Sequence, residues 1–443
     1  SALRAAHSDH NGRRAAVVCS STPDQTGSLS RDTFCPRLAG RHARDDDDMP
    51  RKPRPLPSSL GDSFSVAAAR AAGLSSRRLR NDDLDKPFRG ARARMPEPEP
   101  WVPDEGTAAR EARLLRAAIV SRARAYQSIA PSHAFLWSVT AAVIWKFPLP
   151  RHVLRAAAST PRTDAATTSV TGVERSRPRP VDAGVFHPHR SSKATGVRAR
   201  QFRAGVTAVT ERDGFRVTDA ATTWAHLAEL LTVDELIAVG DAIVRVPRAR
   251  GMRRGRPSDA HASIADLESV AAQPRRGAAK LRDALSQIRV GSSSARETEL
   301  RLALIRAGLP EPELDVDVIA SDGTPIGYTE LAYAKYRVLI EYEGDHHRRD
   351  AAQWERDILK HAACAAEGWE VLRITSAQMK PTPAAAVSRV RTALARAGWR
   401  GWSRPELPPP SGPPVAPQPA RGTTTAANST RPACPNPRHP VGP

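Results

Sequence analysis

Aromatic residues are scarce in this 443-residue chain, at 5% of the total, while prolines number 39. A chain so composed cannot be packed core from end to end, and part of it is expected to lack a fold. Cysteine is scarcer still, with Cys19, Cys35 and Cys434 in the tails and Cys364 within a helical stretch. Neither a disulfide framework nor a zinc-ligand spacing can be built from these four, which suits a reducing cytoplasm. No apolar run nears the roughly 20 residues that span a bilayer, and no charged-then-apolar signal segment occurs. Acid is in deficit, with 47 Asp and Glu against 67 Lys and Arg, for a net charge of +20. That balance favours a polyanionic partner, although richness in Arg, Ala and Pro also follows from a GC-rich coding sequence. There is no internal repeat, no Walker-type glycine loop and no Ser-His-Asp arrangement.

The length suggests two or three domains with tails. Residues 1–53 read as a disordered leader, of which residues 1–48 mix Arg, Ser, Asp and Gly without periodicity. The chain opens on Ser1, and Met49 reads as the true start, the residues before it being a mistranslated leader or a disordered native arm. Residues 404–443 read as a flexible, Pro-rich tail. Within residues 54–95, Phe64 to Gly73 reads as a short helix stopped by glycine. Leu74-Ser75 then makes a turn, Ser76-Arg-Arg-Leu-Arg80 starts a second helix, and Lys86 to Arg94 forms a strand pair or wing. This is the helix-turn-helix layout, in which Arg77, Arg78 and Arg80 contact phosphates or base edges. A plain αα-corner with a solvated basic face is the alternative.

Residues 104–290 read as a mixed α+β middle region. An Arg-rich amphipathic helix runs from Glu105 to Tyr126, an apolar stretch from Ser132 to Trp145, and a loop or insertion over 151–192. A strand from Phe215 to Thr218 precedes two helices, with Trp224, Leu227 and Leu231 as core. Arg248 to Arg256 reads as a basic linker, in contact with phosphate or simply solvated, leading to a helical connection that ends at Leu285.

The most informative stretch is Gly327 to Arg348, where Glu330, Glu341 and Glu343 lead into His346-His347. Arg337 to Tyr342 is apolar and β-branched enough to be a strand, and Gly327 to Tyr333 is its partner across a tight turn at Ala334-Lys335. A two-residue turn sets Tyr333 opposite Tyr336 and Glu330 opposite Leu339. Glu341 then becomes the diagonal neighbour of Glu330, about 7–8 Å away on the same face, and Glu343 shares that face. Two carboxylates so placed suit a hard divalent cation that activates water in phosphodiester hydrolysis. The alternative is that they are solvated strand residues offsetting Arg337, Arg348 and Arg349. Upstream, Ser294 to Ala307 reads as a helix in which Glu297 is either the partner of a capping box with Ser294 or a site residue. Downstream come a helix from Asp350 to Glu367, a strand from Glu370 to Ile374 and a helix from Pro383 to Ala397.

In that order of elements, Arg296-Glu297, Glu330, Glu341-Tyr-Glu343-Gly344, His347, Asp357 and Gly368-Trp369 resemble the motifs of a known family. It is the small endonuclease-like domain related to very short patch repair endonucleases, a branch of the restriction-endonuclease-like fold with the PD-(D/E)xK site. The resemblance covers residues 292–400. It implies an α/β domain that cleaves DNA with Mg²⁺ or Mn²⁺, held by Glu330 and Glu341 with Glu343 assisting. His347 would handle protons, Glu297 would orient the site and Asp357 would support a histidine. Glu330 and Glu343 stand where the family has aspartate, and the extra methylene moves each carboxylate. Residues 54–95 resemble the winged-helix module of abortive-infection antitoxin-type regulators, which implies DNA binding. The expected protein is a bacterial, cytoplasmic α/β chain with a winged helix, a mixed middle region and an endonuclease-like domain. It is compatible with a homodimer and needs no membrane. The rival reading is a non-catalytic DNA-binding regulator of antitoxin type whose nuclease-like domain is a scaffold.

Overall fold

The computed structural model describes residues 53, 55–95, 100, 102, 105–158, 181–248, 255–343 and 351–401. They build a mixed α/β protein around three sheets. The first sheet belongs to the N-terminal module: β1 (Ser63–Ser65), α1 (Val66–Ala71), a 3-10 turn at Arg78–Arg80, β2 (Leu84–Asp85) and β3 (Ala91–Arg94), with strand order β1-β3-β2. The Ser65 hydroxyl caps α1 by accepting Ala68 N–H, and Gly73, at φ 81°, takes the left-handed conformation that stops it. Phe64, Leu74, Leu79 and Leu84 form a small core. The second helix expected from Ser76 is only the 3-10 turn. Asn81-Asp82-Asp83 turns the chain back into β2, and the Arg78 guanidinium donates to both Asp83 oxygens at 2.8 and 2.7 Å.

The middle region opens with α2 (Thr107–Gln127), β4 (Phe135–Leu136), α3 (Ser138–Ile144) and α4 (Arg151–Ala158). It continues with β5 (Val181–Phe186), β6 (Val197–Phe202), β7 (Val209–Arg212), β8 (Phe215–Thr218), α5 (Ala220–Leu227), α6 (Val233–Val244), α7 (Ile264–Ala272) and α8 (Ala278–Leu285). Its strands are ordered β6-β5-β4-β8-β7. Trp224, Leu227 and Leu231 are fully buried, as expected. The loop expected over 151–192 is corrected: it contains α4 and β5, an interior strand. Asp182 and Gly184 break the apolar run of β5 and hid it. Asp182 is buried because its carboxylate caps α3, accepting Val139 N–H and Thr140 N–H, and pairs with Arg198 at 2.6 Å. Gly184 is required by packing, since a Cβ there would lie 2.6 Å from the Phe135 ring.

The C-terminal region comprises α9 (Ala295–Arg306), β9 (Glu313–Ile319), β10 (Pro325–Tyr333), β11 (Val338–Glu343), α10 (Ala351–Ala366), β12 (Glu370–Thr375) and α11 (Ala384–Arg396). Its sheet has the order β12-β11-β10-β9, antiparallel except for the parallel β11–β12 pair. The expected helix, hairpin, helix, strand, helix order is present, with β9 added at the edge. Leu300, Leu304, Leu331, Ile340, Ile374 and Val390 form its core. Two buried arginine side chains pair with acids and tie it to the middle region. Asp241 of α6 binds Arg301 of α9 at 2.9 Å. Arg248, expected as part of a basic linker, instead clamps β9 by pairing with Asp315 at 2.5 Å and Asp317 at 2.6 Å.

Candidate functional site

The hairpin turn is longer than two residues. A 3-10 turn at Ala334–Tyr336 and Arg337, at φ 52°, connect the strands, so that Tyr333 pairs with Val338 and Leu331 with Ile340. Continued one residue further, this register sets Glu330 across from Glu341. The register differs from the expected one by two residues, and because side chains alternate with a period of two the shift leaves both carboxylates on one face. The Glu330 carboxylate accepts Tyr342 N–H at 2.7 Å.

Glu297 joins them from the first turn of α9. It is 3% exposed, and its carboxylate accepts Ser293 N–H at 2.6 Å while Ser294 Oγ accepts Glu297 N–H. Only half of the expected capping box forms: Ser294 caps the helix, but the Glu297 carboxylate reaches past it to Ser293 N–H. Burial raises the Glu297 pKa against the pull of Ser293, Ser294 and Arg245. Glu330 is pushed up to about 8 by burial first and then by the charge of Glu297, with Glu341 adding to it. Glu341 behaves oppositely. Burial works to raise it, but Lys360 and His361 outweigh burial and hold the carboxyl below its usual value.

Both of these partners come from α10. Lys360 Nζ donates to Glu341 Oε1, and His361 Nε2 lies 2.9 Å from Glu341 Oε2. The Lys360 stem lies over Gly327 of β10, where a Cβ would meet it at 3.3 Å, so the glycine admits the lysine to the face of the sheet. Asp357 is half-buried one helical turn before His361. Glu343 turns to Arg373 of β12 at 2.9 Å. His347 and His346 lie outside the described residues. Lys360 is not legible as a site residue from sequence, because its role depends on where α10 docks; the one signal is its helical spacing from Asp357.

Hard oxygen donors are the correct chemistry for Mg²⁺, which takes one or two carboxylates and completes its shell with water and substrate oxygen. Glu330 and Glu341 fit that pattern. Among the described residues no group of three or more Asp, Glu, His or Cys side chains could hold a metal ion, and the ammonium of Lys360 is the cation beside Glu341.

In the N-terminal module Arg77 and Arg80 are exposed. Arg78 is 8% exposed and bound to Asp83, so its place among the expected DNA contacts is corrected: it holds the turn together. No described helix is long and apolar enough to cross a membrane.

No family model and no solved structure matches the chain. The chain is similar to two proteins of Mycobacterium tuberculosis, uncharacterized protein MT2308 of strain CDC 1551 and uncharacterized protein Rv2248 of strain H37Rv. Each is 28% identical over 184 residues, covering 39% of this chain and 68% of the relative.

Proposed function

We propose that residues 292–400 are a divalent-cation-dependent phosphodiesterase domain acting on DNA. The observation that carries this reading is the placing of Glu330 and Glu341 on one face of the sheet, with Glu297 close enough for its charge to help push the Glu330 carboxyl up to about 8. Like-charged, desolvated carboxylates are costly to the fold and typical of sites that handle charge. Glu330 and Glu341 would hold the cation, which when bound polarises a phosphoryl oxygen and lowers the pKa of water. Glu297 braces the site through the Ser293 turn. Lys360 stands where an ammonium neutralises the charge that builds on a phosphorane-like transition state. His361 fixes the second oxygen of Glu341. The exposed Arg77 and Arg80 of the N-terminal module supply phosphate contacts.

A second reading, a non-catalytic DNA-binding regulator, is favoured by one feature: Lys360 and His361 already satisfy both oxygens of Glu341. Nicking of supercoiled DNA with Mg²⁺ or Mn²⁺ separates the two. The enzyme reading expects cleavage in wild type and its loss, by a factor of 10² or more, in Glu341→Gln with DNA affinity retained. Cleavage at the wild-type rate in Glu341→Gln sinks the mechanism, and no cleavage across many DNA substrates favours the regulator.

A further inference from the structure

A pocket of about 260 Å³ lies between the middle region and the first turn of α9. Lys146, Arg212, Arg245 and His261 line it, together with Trp145 and Ser293, and no carboxylate does. Lys146 follows α3 in the left-handed conformation, at φ 63°, and is exposed without an ion-pair partner among the described residues. The Arg212 guanidinium lies over the Trp145 ring at 4.9 Å. Its Nε makes no hydrogen bond and faces Asp213, outside the pocket lining, only at 3.8 Å. Arg245 caps the end of α6 and makes no hydrogen bond or ion pair among the described residues, although its charge is felt by Glu297. The His261 ring stands edge-on to Trp145 at 5.3 Å. Burial and Arg212 lower its pKa, so it offers a neutral ring rather than a further charge.

Three cations from three separate stretches gain nothing from one another, because like charges repel and most arginines at comparable depth in this chain have acids to bind. Arg301 and Arg248 show that alternative. Cations gathered around a void with no acid in its wall are arranged for an anion from outside. The volume falls below the roughly 300–1,000 Å³ of pockets for drug-sized ligands, which suits a single compact group. Guanidinium and ammonium donors bind phosphate and carboxylate alike, and three cations around one void suit the greater charge and the extra oxygens of a phosphate. The pocket also adjoins Glu297: Ser293, whose N–H that carboxylate accepts, is part of its wall.

We propose that this pocket binds a backbone phosphate of a nucleic-acid strand and so anchors the strand beside the glutamate cluster. The assignment of a neighbouring phosphodiester to Glu330 and Glu341 rests on the function proposed above, whereas phosphate binding itself does not.

The test is calorimetric titration of the full chain in EDTA with a short single-stranded DNA and with the same sequence on an uncharged methylphosphonate backbone. The natural strand should bind and the uncharged one should bind at least tenfold more weakly. Lys146→Gln and Arg245→Gln should each weaken binding about tenfold and lower the slope of log affinity against log salt by about one. Arg212→Gln serves as a further variant should Arg245→Gln fail to fold, and melting curves verify each. Wild-type affinity and slope in the folded Lys146 and Arg245 variants would overturn the proposal, as would equal binding of the methylphosphonate strand or of free inorganic phosphate. Binding that depends on Lys146 and Arg245 in a chain that never cleaves DNA would uphold the pocket and remove only the catalytic reading.

Discussion

Removing the Asp241 carboxylate should cost the protein a large part of its stability. Asp241 is 1% exposed and accepts three hydrogen bonds: from Arg301 Nη2 at 2.9 Å, Thr298 Oγ1 at 2.8 Å and Arg289 N–H at 2.7 Å. Arg301 is completely buried, and its other contacts are the Gln287 carbonyl at 2.9 Å and the half-exposed Glu311 at 3.4 Å. Burial pushes the Asp241 carboxyl up and Arg301 opposes it, so the ionised pair holds only while both members are present. Asp241→Ala strands a buried guanidinium and leaves the Arg289 N–H without its acceptor, while the Thr298 hydroxyl keeps Ser292 Oγ at 2.9 Å. Breaking one side of a buried pair costs about 3–5 kcal/mol, against a total of about 5–15 kcal/mol for a typical domain. Urea denaturation followed by tryptophan fluorescence measures it. Because the pair joins α6 to α9, the variant should also separate unfolding of the C-terminal region from that of the middle region. Replacing both members by apolar residues of similar volume, Asp241→Leu with Arg301→Met, should restore most of the loss, since desolvation of the charges is then avoided. A loss below about 1 kcal/mol in Asp241→Ala, or a double variant no better than the single one, would refute the argument.

Two further outcomes follow from buried charge. His226 is brought from 6.5 down to about 3 by burial and by Arg275, Arg200 and Arg198, so the folded chain keeps it neutral while the unfolded chain takes up a proton below pH 6.5. Stability should therefore fall on acidification from pH 6.5 toward 3, by at most about 1.4 kcal/mol per pH unit. His226→Phe, which keeps the ring against Trp137 and Phe202, should flatten that slope in pH-dependent denaturation; identical slopes would show that His226 does not titrate in this way. Arg78→Ala should destabilise the N-terminal module by about 1–3 kcal/mol through loss of the Asp83 pair. Limited proteolysis should report that loss, while Arg77→Ala and Arg80→Ala leave the cleavage pattern unchanged, and equal effects at all three would return Arg78 to the exposed set.

The C-terminal region was the most legible part of the chain because its signals are local. Apolar periodicity marks α9 and β11, and the acids at Glu330 and Glu341 stand out against an apolar strand. The turn was judged two residues too short, yet the two carboxylates still share a face, because an even shift preserves the alternation of a strand. β5 was illegible for a different reason. Asp182 and Gly184 break its apolar run, and each is explained only by a distant partner, the amide end of α3 and the Phe135 ring. Lys360 likewise looks like any helical lysine until α10 lies across Gly327.

The same distinction governs the basic residues, which sequence alone treats as interchangeable contributors to a net charge of +20. Arg78, Arg248 and Arg301 stood in stretches read for DNA contact, linker and helix face, and the fold pairs each with an acid. Their charge is neutralised where it stands and offers little to a polyanion. Lys146 follows an apolar helix and Arg245 ends one; neither makes an ion pair among the described residues, and both line a pocket whose wall has no carboxylate. On the phosphate pocket proposed above, affinity for a nucleic-acid backbone should depend less on how many basic residues the chain carries than on the few that line that pocket. Removing Arg248 should lower stability more than DNA affinity, while removing Lys146 should do the reverse.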